Sequence, residues 1–153
     1  MPSPAIFLVD NGSLRPSATF ALRELAQALS QRTGREIEAV SLLHSHKIAP
    51  DLLGGAPATI VKRRMRERIR EGRREFLILP LFLGPSLAIT DYLPGIVGEL
   101  RRGSPELKVD IAPPIAGDDV GKPDRRLARI LADQVRPLMG QGQGEKLALV
   151  DHA

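Results

Sequence analysis

The sequence predicts an α/β domain: a three-layer sandwich with a parallel four-stranded sheet and helices on both faces. Three observations carry this. Apolar runs rich in Val, Ile and Leu recur four times, each is followed by a segment with apolar residues at helical spacing, and the connections are short. Strict β-α alternation implies right-handed crossovers and parallel strands, and ligands of such sheets sit beyond the strand carboxyl ends. With 153 residues the chain can bury one core without staples.

Residues 5–10 read as a buried strand, and 16–32 as a helix with Ala18, Leu22, Leu25 and Leu29 inward, closed by Gly34. The stretch "EIEAVSLL" (36–43) is the second strand. A loop from His44 through Gly55 leads to a helix over about 57–72, with Val61, Met65 and Ile69 inward and Gly72 at its end. "EFLILPLFL" (75–83) is almost continuously apolar, as expected when helices cover both sheet faces, and Pro80 loosens its pairing near the carboxyl end. After a loop over 84–90, a helix at 90–102 carries Leu93, Ile96, Val97 and Leu100, with Pro94 near its start. "LKVDIAPPI" (107–115) is the fourth strand. The helix over 124–139 places Leu127, Ile130, Leu131, Val135 and Leu138 on one side, and Pro137 frays its last turn.

These elements make a domain of residues 1–140. A Gly-rich linker at 141–146 follows. Residues 147–153, "LALVDHA", share Leu-Val-Asp in register with the opening "IFLVDNG", and read either as an extra strand or as the start of a second similar half.

The absence of cysteine excludes thiolate zinc sites, iron-sulfur clusters and cysteine nucleophiles. Any transition metal must be held by His, Asp, Glu or water, and the histidines are His44, His46 and His152. The longest apolar run, 76–83, is far below the roughly 20 residues that span a bilayer. "MPSPAIFLVD" lacks a basic n-region, so a cytoplasmic protein without membrane contact is expected. The net charge of +4 is local: eight basic residues between Lys62 and Arg74 face Glu67 and Glu71, giving +6 there. Such a stripe can be a solvated helix face or a nucleic-acid contact. A single Tyr and no Trp leave few rings for base stacking and favour the former.

Three loops are expected at the carboxyl end of the sheet. The first is "LVDNGS", with Asp10, Asn11, Gly12 and Ser13. Asp-Asn-Gly-Ser is also ordinary turn chemistry, and Ser13 can bond orphan amides before the first helix. The second is "LLHSHK". If the strand stays extended there, His44 and His46 project to one face and can share an ion; the alternative is a pair of solvated or hydrogen-bonding loop residues. The third is "ILPLFLGPSLAITDYLP", with Gly84, Pro85, Ser86 and Ala88 lining the loop. Asp91 in it would supply an oxygen ligand, accept a proton, or only cap a helix.

Together these loops, with "APPI" after the fourth strand, resemble the small class II tetrapyrrole chelatases, the sirohydrochlorin cobaltochelatase and ferrochelatase family. The resemblance covers essentially the whole chain. In that family the first loop typically reads Gly-His-Gly-Ser, and "PLFL" is followed by a Gly-rich stretch, a His and then Asp-Ile-Pro. Here Gly12, Ser13, "LPLFL" (79–83), Asp91, Pro94 and "APP" (112–114) match. Both histidines are replaced, the first by Asn11 and, anchoring on Pro94, the second by Ala88. An Asn amide does not titrate near neutral pH and is a poor transition-metal ligand, and Ala has no donor atom.

The resemblance implies a tetrapyrrole substrate, cobalt or ferrous ion as the second substrate, no firm resident cofactor, a lyase-type metal insertion in cobalamin or siroheme biosynthesis, and a homodimer framing the cleft. His44 and His46 would then be the metal or proton-transfer groups, with Asp91 beside them. The alternative is a non-catalytic tetrapyrrole- or metal-binding half that supports a partner domain.

Overall fold

The computed structural model describes residues 3–119, 121, 122, 124–140, 146, 148 and 150. Most residues of the expected linker and extra strand, and His152, lie outside the described residues. Four parallel strands, β1 (Ala5–Asp10), β2 (Ile37–Ser41), β3 (Glu75–Pro80) and β4 (Lys108–Ile111), stand in the order β2-β1-β3-β4. Register is fixed at the centre, where Leu8 of β1 faces Ala39 on one side and Leu79 on the other.

Period-two alternation in β1 divides its apolar residues between two cores. Phe7 and Val9 point to one face and meet Phe76 and Ile78, and two helices close over them. These are α2 (Val61–Arg70) and α3 (Leu93–Gly103), which bring Val61, Met65, Leu93, Ile96 and Leu100. The Phe7 and Phe76 rings meet edge to face at 5.7 Å. Each such buried side chain contributes roughly 1.5–3 kcal/mol.

Ile6, Leu8 and Ile37 point the other way, toward Leu22 and Ala26 of α1 (Pro16–Thr33). Leu25, expected inward, is exposed; the buried stripe runs Leu22, Ala26 and half-buried Leu29, the i, i+4, i+7 line of a single narrow face.

Helix α2 begins later than its composition predicts because residues 57–60 remain extended along β2. Ser41 donates its backbone N–H to Thr59 O at 3.2 Å, and Ser41 and Ile60 form a parallel bridge. The basic stripe is largely absorbed by carboxylates: Arg64 and Arg68 both reach Glu38, Arg68 also reaches Glu71 at 2.7 Å, and Lys62 and Arg66 share Glu99. Arg74 pairs with Glu106. The stripe, read in sequence as a solvated helix face in preference to a nucleic-acid contact, in large part fastens α2 to β2 and α3.

Helix α4 (Arg125–Val135) departs most from expectation. It starts on Asp124, whose carboxylate accepts the Arg126 N–H at 2.9 Å, and tightens into a short 3₁₀ turn over Arg136–Leu138 around Pro137. Its apolar side was expected to join the core, yet no residue of α4 is buried, and Leu138 is 83% exposed. β4 offers it little to pack against: Val109 and Ile111 turn to the α2–α3 core, and the opposite side of the strand presents exposed Lys108 and Asp110. Among the described residues no helix is long and apolar enough to cross a membrane.

Candidate functional site at the strand carboxyl ends

From β1 the chain passes to α1 on one sheet face, and from β3 to α3 on the other. The two loops therefore part company at the switch point between β1 and β3, the usual ligand position in a doubly wound sheet. The loop bases are closely braced. Leu42 and Leu43 donate N–H groups to Asp10 O (2.9 Å) and Asn11 O (3.2 Å), and Leu81 donates to Val9 O (2.7 Å). On the far side Ile115 and Ala116 donate to Phe82 O and Leu83 O, both at 2.8 Å.

Gly12 makes the first brace possible. Its φ is +94°, and a Cβ built there would stand 1.8 Å from Leu43 O. Only glycine lets the first and second loops meet so closely. Ser13 accepts the Arg15 N–H at 3.0 Å and so tidies the approach to α1, while Asn11 is exposed on the loop surface.

The second loop is not extended. Ser45 donates to Leu43 O at 2.8 Å across His44, whose φ of 64° and ψ of −46° make a γ-turn of the rarer, positive-φ kind. A 3₁₀ turn over Ser45–Lys47 follows. The expectation that His44 and His46 project to one strand face therefore fails, because the chain turns at His44 itself. His44 is exposed on this strained turn; a non-glycine residue held so costs about 1–3 kcal/mol. His46 is half-buried, and its Nδ1 is buried without a hydrogen-bond partner. Desolvation first, then the Arg63, Lys47 and His44 charges, push its pKa below the usual imidazole value, keeping it neutral.

Asp10 closes β1. Burial is the largest influence on its carboxyl and raises the pKa, against the opposing Ser41 side chain and Gly12 backbone; Oδ1 has no hydrogen-bond partner. In the third loop Ser86 O accepts from both Ile89 and Thr90, while Ser86 Oγ is buried and unpartnered. Gly84 is half-buried and Pro85 exposed. Ala88 packs against the α2–α3 core and opens a π-helical turn, Ala88–Tyr92, that runs into α3. Asp91 is exposed within that turn and caps no helix. Among the described residues no group of three His, Asp or Glu side chains is placed to hold a metal ion, so Asp10 and Asp91 do not join the two histidines in a ready cluster.

Sequence reasoning missed the apolar rim. Leu14 after β1, Leu83 and Leu87 after β3, Tyr92 at the entry to α3 and Ile115 after β4 are all exposed, Leu87 to 75%. The signal was available: large apolar residues inside Gly- and Pro-containing loops, where no helix or strand period calls for them. Of the four described buried side-chain atoms without a partner, three (Asp10 Oδ1, His46 Nδ1 and Ser86 Oγ) belong to these strand-end loops. Apolar exposure and unsatisfied polarity thus both fall on the strand-end loops.

Sheet order and helix placement define a doubly wound α/β protein. Residues 5–137 match the family model described as CbiX, and the chain belongs to the CbiX family. The chain is also similar to a crystal structure described as a cobalamin (vitamin B12) biosynthesis CbiX protein from Marinobacter aquaeolei VT8. The TM-score is 0.62 at 18% identity, over 89% of this chain and 97% of that one, a likeness of fold. Comparison with curated proteins gives no match.

Proposed function

We propose that the chain is a chelatase-type protein that takes a sirohydrochlorin-like tetrapyrrole and a divalent cobalt or iron ion as substrates, in cobalamin or siroheme biosynthesis. The observation that carries this reading is the set of exposed apolar residues Leu14, Leu83, Leu87 and Ile115 on the same strand-end loops that carry Asp10 and His46. A flat macrocycle with acidic arms needs an apolar surface for its ring and polar groups at the edge. Insertion joins one divalent ion to the ring and releases two pyrrole protons, so the site must also accept protons. His46, held neutral, and Asp10, whose carboxylate is penalised by burial, are the acceptors. His44, exposed on its strained turn, presents the ion. Asp91, at the rim, acts on entry of metal or proton exit, and Asn11, Gly12, Ser13, Gly84, Pro85, Ser86 and Ala88 shape the substrate walls.

A second reading keeps the binding and drops the turnover. The absence of a three-ligand cluster among the described residues favours it. In this version the domain, taken as residues 1–140, holds the macrocycle while a second copy or a similar half completes the metal site. Absorption spectra of sirohydrochlorin with Co²⁺ or Fe²⁺ separate the two. Metal insertion by the wild-type chain, lost in His44→Ala and His46→Ala, is the expected result. Macrocycle binding without accelerated insertion supports the second reading, and a spectrum unchanged in both binding and insertion refutes both.

A further inference from the structure

A pocket lies against the open edge of β2. It is a cavity of about 370 Å³ between α1, β2 and the extended segment that leads into α2. Among the described residues the buried polar side chains are Thr19, Ser41 and Ser45, exposed by 7, 5 and 1%, and all three line this cavity. Thr59, also in its wall, has a buried Oγ1 without a hydrogen-bond partner. Ser45 Oγ donates to Thr59 O at 3.4 Å and Ser41 bonds Asp10, so the hydroxyl left to be satisfied in the wall is Thr59 Oγ1, a buried polar atom that calls for a polar partner.

The charges say which sign. Three arginines line the cavity, but only Arg64 is neutralised there, by Glu38 and by Glu67 at 2.9 Å. Glu38 is further shared with Arg68. Arg23 spends its hydrogen bonds on two carbonyls, Leu53 O at 3.2 Å and Ala56 O at 2.7 Å, which fix the guanidinium without cancelling its charge. Arg63 has no carboxylate partner among the described residues. It sits in the first turn of α2, where Ile60 at the N-cap offers no side-chain oxygen to the leading amides. An uncapped helix start and two unneutralised guanidiniums favour negative charge.

We infer that this cavity binds a small oxyanion, the phosphate or carboxylate group of a molecule with few further atoms. Its volume lies at the low end of small-molecule sites, roughly 300–1,000 Å³. Thr19 and Thr59 supply hydroxyls to the oxyanion, Arg23 a fixed charge, and Arg63 an exposed one. The assignment stands apart from the chelatase reading, since it uses none of the strand-end loop groups assigned to insertion.

The test is thermal unfolding of the full chain against rising inorganic phosphate, and separately against propionate, with ionic strength held constant by chloride. A saturable rise in Tm is expected with at least one of them, and which one identifies the source of the oxyanion. Arg63→Gln, a surface change that leaves the ligand-free Tm near wild type, should weaken the apparent affinity about tenfold or more. Arg66→Gln, on the same helix but off the cavity, should leave it unchanged. A Tm that does not saturate with either anion overturns the proposal. Equal saturation in wild type and Arg63→Gln, or equal loss in both variants, overturns it as well, because the effect would then be general anion stabilisation.

Discussion

The middle of the sheet and its carboxyl-end rim are built to opposite rules. In the middle, Phe7, Phe76 and Ile78 are fully or almost fully buried, and every side chain points where its period places it. A few residues further along the same strands stand exposed leucines, a positive-φ histidine, and buried carboxyl, imidazole and hydroxyl atoms without partners. Features that cost stability are thus gathered at one end and held in place by stability generated in the other. That division is what a binding site on a rigid scaffold requires.

The largest effect should separate the two regions outright. Phe7→Ala leaves a cavity in the α2–α3 core and should cost about 3–5 kcal/mol, lowering Tm by roughly 10 °C, whereas Leu87→Ser at the rim should change stability by less than about 0.5 kcal/mol. Comparable losses in calorimetry would erase the distinction. Next comes the junction between the regions: Gly12→Ala drives a methyl into Leu43 O and should cost about 2–3 kcal/mol by urea unfolding, because two loops must separate. A neutral result would mean that the rim is not tied to the sheet as described.

The rim itself should respond in the opposite direction. His44→Gly relieves the γ-turn and, after the entropy cost of glycine, should add about 1 kcal/mol while removing the metal-presenting side chain. A loss of stability would deny that His44 is strained. The smallest effect belongs to Asp10. Because burial raises its folded-state pKa, its charged form is penalised in the folded chain above that pKa, and the penalty disappears once both states are protonated below the unfolded value of 3.8. Asp10→Asn should therefore unfold about 2 °C above wild type at pH 7, with the gap closing as pH falls toward 3.8. A gap that widens on acidification would reverse the sign of this account.

The parallel β-α alternation, the helix number and helices on both faces follow from patterns that the sequence displays, since Phe7 and Val9 against Ile6 and Leu8 already divide the faces; the order β2-β1-β3-β4 does not. The errors lie where one element's conformation depends on another's surface. Ala56-Pro57-Ala58 reads as a helix start, but Thr59 is claimed by the Ser41 amide, and the helix waits until Val61. His44 looks like any strand-end residue, because nothing in "LLHSHK" marks the left-handed turn that tertiary contacts impose. Gly12 is visible as turn chemistry, yet its reason, the Leu43 carbonyl, is 31 residues away in the chain. The apolar stripe of α4 was legible; that it would remain outside both cores was not.

That unburied helix has a consequence for how the molecule comes apart. Eleven residues of α-helix are too few to hold themselves together in water, where roughly 12–15 are already marginal. With no fully buried residue, and only Leu127 and Val135 half-buried, α4 has a small share in the cooperativity of the fold. Its amides should exchange with solvent at protections far below those of β1 and β3. Unfolding followed by helix signal should begin before unfolding followed by Phe7 and Phe76. The chain is thus one domain by sequence, whose core unfolds as a unit and whose last helix frays ahead of it.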